Sequence, residues 1–211
     1  MTELLFIRHG ETDWNRRACF QGQIDVPLNG NGLLQAQRLG ARLAAEPHDL
    51  LFSSDLQRAQ QTAAPLAAAW QQQPVLVPGL REQGFGEWEG LDFPTIQARY
   101  PQLWPQWLEH APGFASPGGE SALQFHTRVL AAVKGLAEQA PGRRVAVVTH
   151  GGVLDMLWRT AQGLPLVGQR ACAIPNTGIN RLRYVTGPAG GTLVVDRWAD
   201  DEHVRDLLLP T

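Results

Sequence analysis

The sequence predicts an α/β fold with a largely parallel sheet, and three observations carry this prediction. Short apolar runs such as Leu4–Ile7 and Val145–Val148 are typical of strands that are buried on both faces. Segments with helical periodicity alternate with these runs, as they do in parallel α/β sheets. The 211 residues, 44% of them hydrophobic, suffice for one domain with a sizeable core. We therefore expect one domain over residues 1–211.

The first half of the chain contains three predicted strands, each followed by polar residues. They are Leu4–Ile7, Leu50–Phe52 and Val75–Val77. Helices are predicted between them. Asn31, after the turn Pro27–Gly30, is the predicted N-cap of the first helix. Gln57–Trp70 is the second helix, and its Pro65 stands where a helix can kink.

Residues 83–119 depart from this alternation, with six glycines and five prolines among them. Short helices are expected at Pro94–Tyr100 and Gln102–His110. We interpret the stretch as an insertion over one end of the sheet and part of the substrate pocket. Its aromatic residues fit a small satellite core better than a substrate wall, although some can serve both purposes.

The second half returns to regular patterns. Ser121–Glu138 predicts a long helix, and Val145–Thr149 is the clearest strand of the chain. A helix through Trp158 follows. Two last strands are expected at Asn180–Thr186 and Thr192–Trp198.

Bulk properties exclude several classes of partner. The net charge is −2 and charged residues make up 18%, which indicates neither a nucleic-acid nor a membrane-surface partner. Cys19 and Cys172 lie in no CxxC pair and no zinc-like spacing, so we expect them to be reduced. The sequence shows no signal-peptide pattern and no apolar stretch near the ~20 residues of a membrane helix. These features favour a cytoplasmic location and leave a homodimer open.

Polar clusters follow three of the predicted strands. The clusters are Arg8-His9-Gly10, Ser53-Ser54-Asp55 leading to Arg58, and His150-Gly151-Gly152. Ligands of α/β sheets bind beyond the carboxyl ends of the strands. We therefore expect these side chains to meet in one pocket.

The residue types in these clusters suit phosphoryl transfer. His9 can attack phosphorus directly, and Arg8, Arg58 and a protonated His150 can balance the charge of the transition state. Glu82, after the third strand, is the candidate general acid and base. A bell-shaped pH–rate profile with an acidic to neutral optimum should follow.

Each of these residues also has an ordinary structural interpretation. A lone histidine is more often a core or surface residue, and a lone Arg58 or Glu82 is usually solvated. The neighbours Arg8 and Gly10 and the second His-Gly pair at 150 favour function for His9. The four other histidines have no comparable setting, and we assign them no catalytic role; they are His48, His110, His126 and His203.

The segment Phe6–Asn15, with its Arg-His-Gly-Glu-Thr run, resembles the signature of branch 1 of the histidine phosphatase superfamily, the phosphoglycerate mutase-like branch. Further blocks fit in order: Gln21-Gly22, Pro27–Gly30, Ser53–Ala59, Leu80–Glu82, Gly86–Gly90, Pro117–Ser121 and Val148–Gly152. The resemblance extends to about residue 185. It implies a three-layer α/β/α sandwich with a mostly parallel central sheet and a small helical insertion over the active site.

The resemblance also implies roles for single positions. His9 corresponds to the phosphorylated histidine and Glu82 to the proton donor. Arg8, Arg58 and His150 correspond to the phosphate pocket. The implied substrate- and phosphate-binding positions are Asn15, Gln21, Gly22 and Gly151. The family uses no metal, so the resemblance implies no cofactor.

Three departures from the mutases of this family favour a phosphatase similar to broad-specificity and α-ribazole phosphatases. Gly86–Gly90 follows Glu82 where mutases have a tyrosine. Arg99 is the only arginine of the insertion, where mutases have paired arginines. Gly152 stands where mutases usually have asparagine. A phosphoglycerate mutase remains the alternative, followed by a non-catalytic phosphate-binding module and, more weakly, zinc held by His9 and His150.

The expected substrate is a small phosphorylated metabolite. The aromatic residues of the insertion predict an apolar pocket wall and hence a hydrophobic or ring-bearing leaving group. The residues expected in that wall are Phe85, Trp88, Trp104 and Trp107.

Overall fold

A computed structural model of the chain describes residues 1–187 and 190–207, and six strands in these ranges form one sheet. The strands are β1 (Thr2–Arg8), β2 (Leu50–Ser53), β3 (Val75–Leu76), β4 (Arg144–Thr149), β5 (Ile179–Gly187) and β6 (Gly190–Asp200). Their order across the sheet is β3-β2-β4-β1-β5-β6. The four strands from β3 to β1 pair in parallel, and β5 and β6 add an antiparallel edge. The prediction of a mostly parallel sheet is confirmed.

Seven α-helices lie in the described residues. They are α1 (Asp13–Arg16), α2 (Gly30–Leu43), α3 (Gln57–Trp70), α4 (Phe93–Arg99), α5 (Trp104–Leu108), α6 (Ala122–Gln139) and α7 (Gly151–Gln162). Residues of α2 and α3 share one buried cluster with the sheet, and residues of α6 and α7 share the other. The sheet is therefore the middle layer of a three-layer α/β/α sandwich.

Both faces of the central strands are buried, which explains their unbroken apolar sequences. In β1, Leu4 and Phe6 pack towards α6 and α7, while Leu5 and Ile7 pack towards α2 and α3. All four side chains are at most 2% exposed. Successive side chains of a strand point to opposite faces, so both sets must be apolar.

The helix α2 begins differently from its prediction. Its N-cap is Asn29, whose side chain accepts a hydrogen bond from the Gly32 amide at 2.8 Å. Asn31 lies inside the first turn, and its amide donates to Glu11 at 3.1 Å instead. The prediction of Asn31 as the N-cap was wrong, because the turn ends at Asn29, two residues earlier, and the helix begins directly after it.

The insertion folds around an aromatic cluster. Trp88 is fully buried there and packs near Phe20, Tyr100 and Phe114. Phe20 comes from outside the insertion, and its backbone exchanges hydrogen bonds with Gly90 and Leu91. The cluster thus joins the insertion to the loop that follows α1. Within the described residues, none of the helices has both the length and the hydropathy that a membrane crossing requires.

Candidate active site

The parallel pairing of β2, β4 and β1 brings three polar strand ends together. His9 follows β1, Ser54 follows β2 and His150 follows β4. The register pairs Arg8 with Thr149, so the two histidines lie side by side with ring centroids 5.2 Å apart. The carboxyl edge of the sheet therefore carries a paired-histidine site.

His9 is 2% exposed, and one ring nitrogen is committed to the backbone. Its Nδ1 lies 2.7 Å from the carbonyl oxygen of Gly10. Because a carbonyl only accepts, Nδ1 carries the proton and Nε2 carries the lone pair. The Asn176 side chain and the Thr149 carbonyl hold the His9 backbone at 2.9 and 2.8 Å. The ring is thus fixed in the tautomer that a nucleophile needs.

The Arg8 side chain is partly buried in the site, and a neutral acceptor holds its guanidinium. Its Nη1 donates to the Ile174 carbonyl at 2.6 Å, while its buried Nε has no partner. Burial and the nearby Arg170 charge lower the pKa of Arg8 to about 10, although Glu82 acts in the opposite direction. Arg8 therefore stays charged at neutral pH with a free donor.

Arg58, which lies in α3, is held by backbone carbonyls in the same way as Arg8. The side chain is 0% exposed, and it donates to the carbonyls of Ile24 and Gly22 at 2.9 and 2.8 Å. Its Nε is buried and unpartnered. Burial lowers its pKa to about 10, a change that Glu82 partly opposes. Neither Arg8 nor Arg58 forms a salt bridge with any residue that the structure describes.

His150 supplies a third unpartnered donor. Its Nε2 lies 2.8 Å from the Ser54 hydroxyl, which also accepts from the Leu56 amide. When the Ser54 hydroxyl donates to Nε2, the imidazole proton sits on Nδ1. Nδ1 is buried without a partner. A neutral His150 can thus donate a hydrogen bond to an anion.

The pKa of both histidines lies well below its ordinary value. Burial is the main cause, and the Arg58 charge is the next for each ring. In the absence of an anion both rings are neutral near pH 7. This differs from the sequence-based expectation of a protonated His150, because the sequence does not reveal that the ring is buried beside two guanidinium groups.

Glu82 is positioned by two backbone amides. Its carboxylate accepts from Gln83 N at 2.9 Å and from Gly152 N, in the first turn of α7, at 3.0 Å. Glu82 also acts on the pKa of both Arg8 and Arg58, which places its charge beside the histidine site. A carboxylate in this position is available for proton transfer to or from a group bound between the arginines.

The remaining predicted positions have distinct surroundings. Asn15 Oδ1 accepts from Thr12, which leaves the Asn15 amide nitrogen free to donate. Gln21 accepts from the Thr12 hydroxyl at 3.1 Å, so Gln21 and Asn15 meet at one residue. Gly22 positions Arg58 through its carbonyl. Gly151 begins α7, and a Cβ there would lie 3.4 Å from Arg8 Nε.

A cavity of about 430 Å³ adjoins the site on the side of Gln83. Phe85 and Trp107 line it, as the sequence predicted, and so do Phe93 and Phe114. Trp88 lies inside the insertion core, and Trp104 packs against Trp107 without lining the cavity. Polar residues also line this cavity, among them Gln169 and Arg170 of the loop before β5.

Sequence reasoning missed several residues that hold the site. Thr62, one turn after Arg58, accepts from the Gly10 amide at 2.9 Å. The loop before β5 supplies Ile174 and Asn176, which hold Arg8 and His9. Arg170 precedes these residues in the same loop. The i, i+4 spacing of Thr62 and Arg58 was a usable signal, whereas the loop before β5 showed none.

Within the described ranges, no group of three or more His, Cys, Asp and Glu side chains is arranged to hold a metal ion.

Comparisons with known proteins agree with this geometry. The sequence model of the histidine phosphatase superfamily (branch 1) matches residues 4–201. The chain is 33% identical to phosphoglycerate mutase-like protein 4 of Arabidopsis thaliana, over 97% of this chain and 87% of that protein. It is 32% identical to a metal-independent phosphoserine phosphatase of the same plant, over 98% of this chain and 85% of that protein.

A solved structure of mycobacterial glucosyl-3-phosphoglycerate phosphatase in complex with VO3 superposes with a TM-score of 0.81. It shares 30% sequence identity, and the match covers 93% of this chain and 98% of that one. The likeness thus covers the sheet, its flanking helices and the insertion.

Proposed function

Because the chain belongs to branch 1 of the histidine phosphatase superfamily, we propose that it is a metal-independent phosphomonoesterase acting on small phosphorylated metabolites through a phosphohistidine on His9. One observation carries the proposal. Three buried N–H donors, on Arg8, Arg58 and His150, have no partner beside the His9 ring. Buried donors are costly when unsatisfied, and together they form a preorganised site for a phosphoryl group.

The proposed reaction has two steps. His9 Nε2 attacks phosphorus, the P–O bond to the leaving group breaks, and protonated Glu82 gives its proton to the leaving oxygen. The Glu82 carboxylate then takes a proton from water as that water attacks phosphorus, and the P–N bond returns its electrons to His9. Arg8, Arg58 and His150 hold the three equatorial oxygens in both steps.

Water as the acceptor distinguishes this proposal from a mutase. The phosphatase names of two relatives support it, as do the glycine at 152 and the scarcity of arginine in the insertion. A mutase would interconvert 2- and 3-phosphoglycerate without net release of phosphate. That outcome would replace the proposal, whereas stoichiometric phosphate release supports it.

The central test is hydrolysis of p-nitrophenyl phosphate in the presence of EDTA. We expect activity in the wild type and a loss of at least about 1,000-fold in His9→Ala, because the nucleophile is removed. His126→Ala is the matched control, since this histidine packs between α6 and α7 and bonds to Thr160. Full activity of His9→Ala would contradict the mechanism. If neither the wild type nor any variant is active, the alternative of a non-catalytic phosphate-binding module is favoured.

A cytoplasmic location belongs to the same proposal. Cys19 and Cys172 are free thiols in the described structure, which suits a reducing compartment. The small net charge of −2 supports a small-molecule substrate over a nucleic acid. Fractionation of cells that express the tagged protein checks the location.

A further inference from the structure

A third arginine stands at the mouth of the site. The guanidinium nitrogens of Arg170 lie 3.5 and 3.6 Å from the point that a Cβ on Gly151 would occupy. The Nε of Arg8 lies 3.4 Å from the same point. Arg170 therefore faces the partly buried Arg8 across the first residue of α7. Unlike Arg8, it is exposed to solvent.

The backbone that carries Arg170 is held in place. Arg159, which is 4% exposed, donates to the carbonyls of Pro165 and Val167 at 2.6 and 2.8 Å. It also donates to those of Gly168 and Gln169 at 3.0 and 2.8 Å. Asp155 pairs with its Nε at 3.0 Å. Arg170 thus follows a segment that a buried arginine anchors.

Arg170 itself has no charge partner. Within the described part of the chain it forms no salt bridge and no side-chain hydrogen bond. Two like charges, on Arg170 and Arg8, therefore lie near the same point, and neither arginine forms a salt bridge within the described residues. Such an arrangement favours an anion that approaches from solvent.

Arg170 also lines two cavities near the proposed site. It lines the cavity of about 430 Å³ together with Gln83, the residue after the proposed acid Glu82. It lines a second cavity of about 310 Å³ together with Asn15. A leaving group that receives its proton from Glu82 would enter the first of these cavities and reach the guanidinium.

We propose that Arg170 is a specificity-determining residue that binds a carboxylate on the leaving group, so that the preferred substrates are phosphomonoesters bearing a carboxylate. The proposal rests on the proposed phosphatase function. It also revises the expectation of an apolar leaving group, since Arg170 lines the same cavity as the aromatic residues.

A carboxylate fits this position better than a second phosphate. The planar fork of one guanidinium matches a carboxylate with two parallel hydrogen bonds. A second phosphate would need more positive charge, and the other arginine of this wall, Arg159, is already used by Asp155 and four carbonyls.

The test compares 3-phosphoglycerate with glycerol 3-phosphate, in which a hydroxymethyl group replaces the carboxylate. We expect Arg170→Gln to lower the ratio of kcat/KM for the two esters by about tenfold to a hundredfold, the range for a hydrogen bond to a charged group. Arg170→Lys should restore part of the ratio. Arg143→Gln is the matched control, because it removes the same charge from an exposed residue at the opposite end of β4 and should leave the ratio unchanged.

An equal loss on both esters would overturn the proposal, since Arg170 would then bind the phosphoryl group. Unchanged kcat/KM values for both esters would overturn it as well, since Arg170 would then bind neither of them. Calorimetric binding of both esters to the His9→Ala protein, with and without Arg170→Gln, gives the same ratio without turnover. If the wild type hydrolyses neither these esters nor p-nitrophenyl phosphate, the phosphatase function fails, and this binding ratio still decides the role of Arg170.

Discussion

Arg8 and Arg58 are oriented by backbone carbonyls and not by carboxylates. Carbonyl groups fix the guanidinium planes without neutralising them, whereas a carboxylate would compete with the phosphoryl group for the same donors. Ile174, Ile24 and Gly22 supply these carbonyls. Each arginine therefore keeps its full charge and one free Nε–H. A neutral His150 has a similar advantage, because it adds a hydrogen-bond donor without adding charge repulsion with the two arginines.

The role of Glu82 depends on the leaving group. Glu82→Gln keeps an oxygen for the amides of Gln83 and Gly152 but cannot give or take a proton. We expect kcat for alkyl phosphates to fall by roughly 100- to 10,000-fold. The phosphorylation step with p-nitrophenyl phosphate should fall far less, because p-nitrophenolate leaves without a proton. Single-turnover kinetics measure both, and equal losses would argue against Glu82 as the acid.

The lowered pKa values of His9 and His150 predict neutral rings in the free protein. Both should remain neutral by imidazole nitrogen NMR at about pH 6.5, where an unperturbed histidine is half protonated. Addition of orthophosphate should raise the pKa of both, since an anion between the rings stabilises the charged form. The acidic limb of kcat/KM should accordingly fall below about pH 6.5, once ionisation of the substrate is taken into account. Protonated rings in the free protein would contradict this account.

At the scale of elements, the start of α7 connects His150, a proposed phosphate-binding residue, to the proposed acid Glu82. His150 is the N-cap of α7, and Gly152 in its first turn donates to Glu82. A Cβ on Gly152 would overlap Glu82 Oε1 and would lie 3.0 Å from the Phe125 ring. The second glycine after His150 therefore leaves room for the Glu82 carboxylate. This is a physical reason for the His150-Gly151-Gly152 motif of the sequence.

Gly152→Ala should displace the Glu82 carboxylate. We expect the alkyl phosphatase kcat to fall at least about tenfold, while the melting temperature changes little, because the clash can be relieved by moving a side chain. Gly135→Ala, in α6, is the control, since a Cβ there meets only Gln139 at 4.0 Å. It should stabilise the helix by about 0.5–1 kcal/mol and leave kcat unchanged. Unaltered kcat in Gly152→Ala would refute the steric argument.

Another element-scale contact explains the buried Glu11 of the Arg-His-Gly-Glu-Thr run. Its carboxylate accepts from Asn29 at 2.8 Å and from Asn31 at 3.1 Å, at the start of α2. The backbone amide of Glu11 donates to the Gln35 side chain at 2.8 Å. Glu11 therefore ties the nucleophile loop to α2, and its role is structural.

At the scale of the whole molecule, the proposed phosphoryl site is built from segments far apart in the chain. A ligand that binds there should therefore stabilise the folded protein. Binding to the native state alone adds about 2.7 kcal/mol at a hundred times Kd. We expect orthophosphate to raise Tm relative to sodium chloride of equal ionic strength, and Arg58→Gln to reduce this shift severalfold. Equal shifts in both proteins would show that phosphate does not bind at the arginines.

Stability should also fall as the pH is lowered. His9 and His150 have pKa values below their unfolded value of about 6.5, chiefly through burial, so the unfolded chain binds more protons in acid. The stabilising contribution is complete above about pH 6.5 and is lost as the pH falls towards the lower folded values. Urea unfolding from about pH 8 to about pH 5 measures the effect, and His150→Asn should flatten it. Greater stability on acidification would contradict the assignment.

The sequence alone determined the fold class, the order of the elements and the main chemistry-bearing residues, because these follow from local patterns. Apolar runs specify buried strands, as in β1 and β4, and polar residues at their ends follow from the chain itself. Helix α3 was predicted at its observed bounds because its segment is long and periodic. The N-cap of α2 was not predicted correctly, because Asn29 and Asn31 lie two positions apart and both can cap a helix.

Only the tertiary structure decided the electrostatics of the site and the wall that faces the substrate. The tautomers of His9 and His150, the neutral state of the rings and the carbonyls that hold the arginines depend on contacts between distant segments. Arg170 was invisible in the sequence because its loop has no regular pattern, and the buried Arg159 places it beside Gly151. Burial and long-range approach arise only when the chain is folded, and they decide which charges remain free for a ligand.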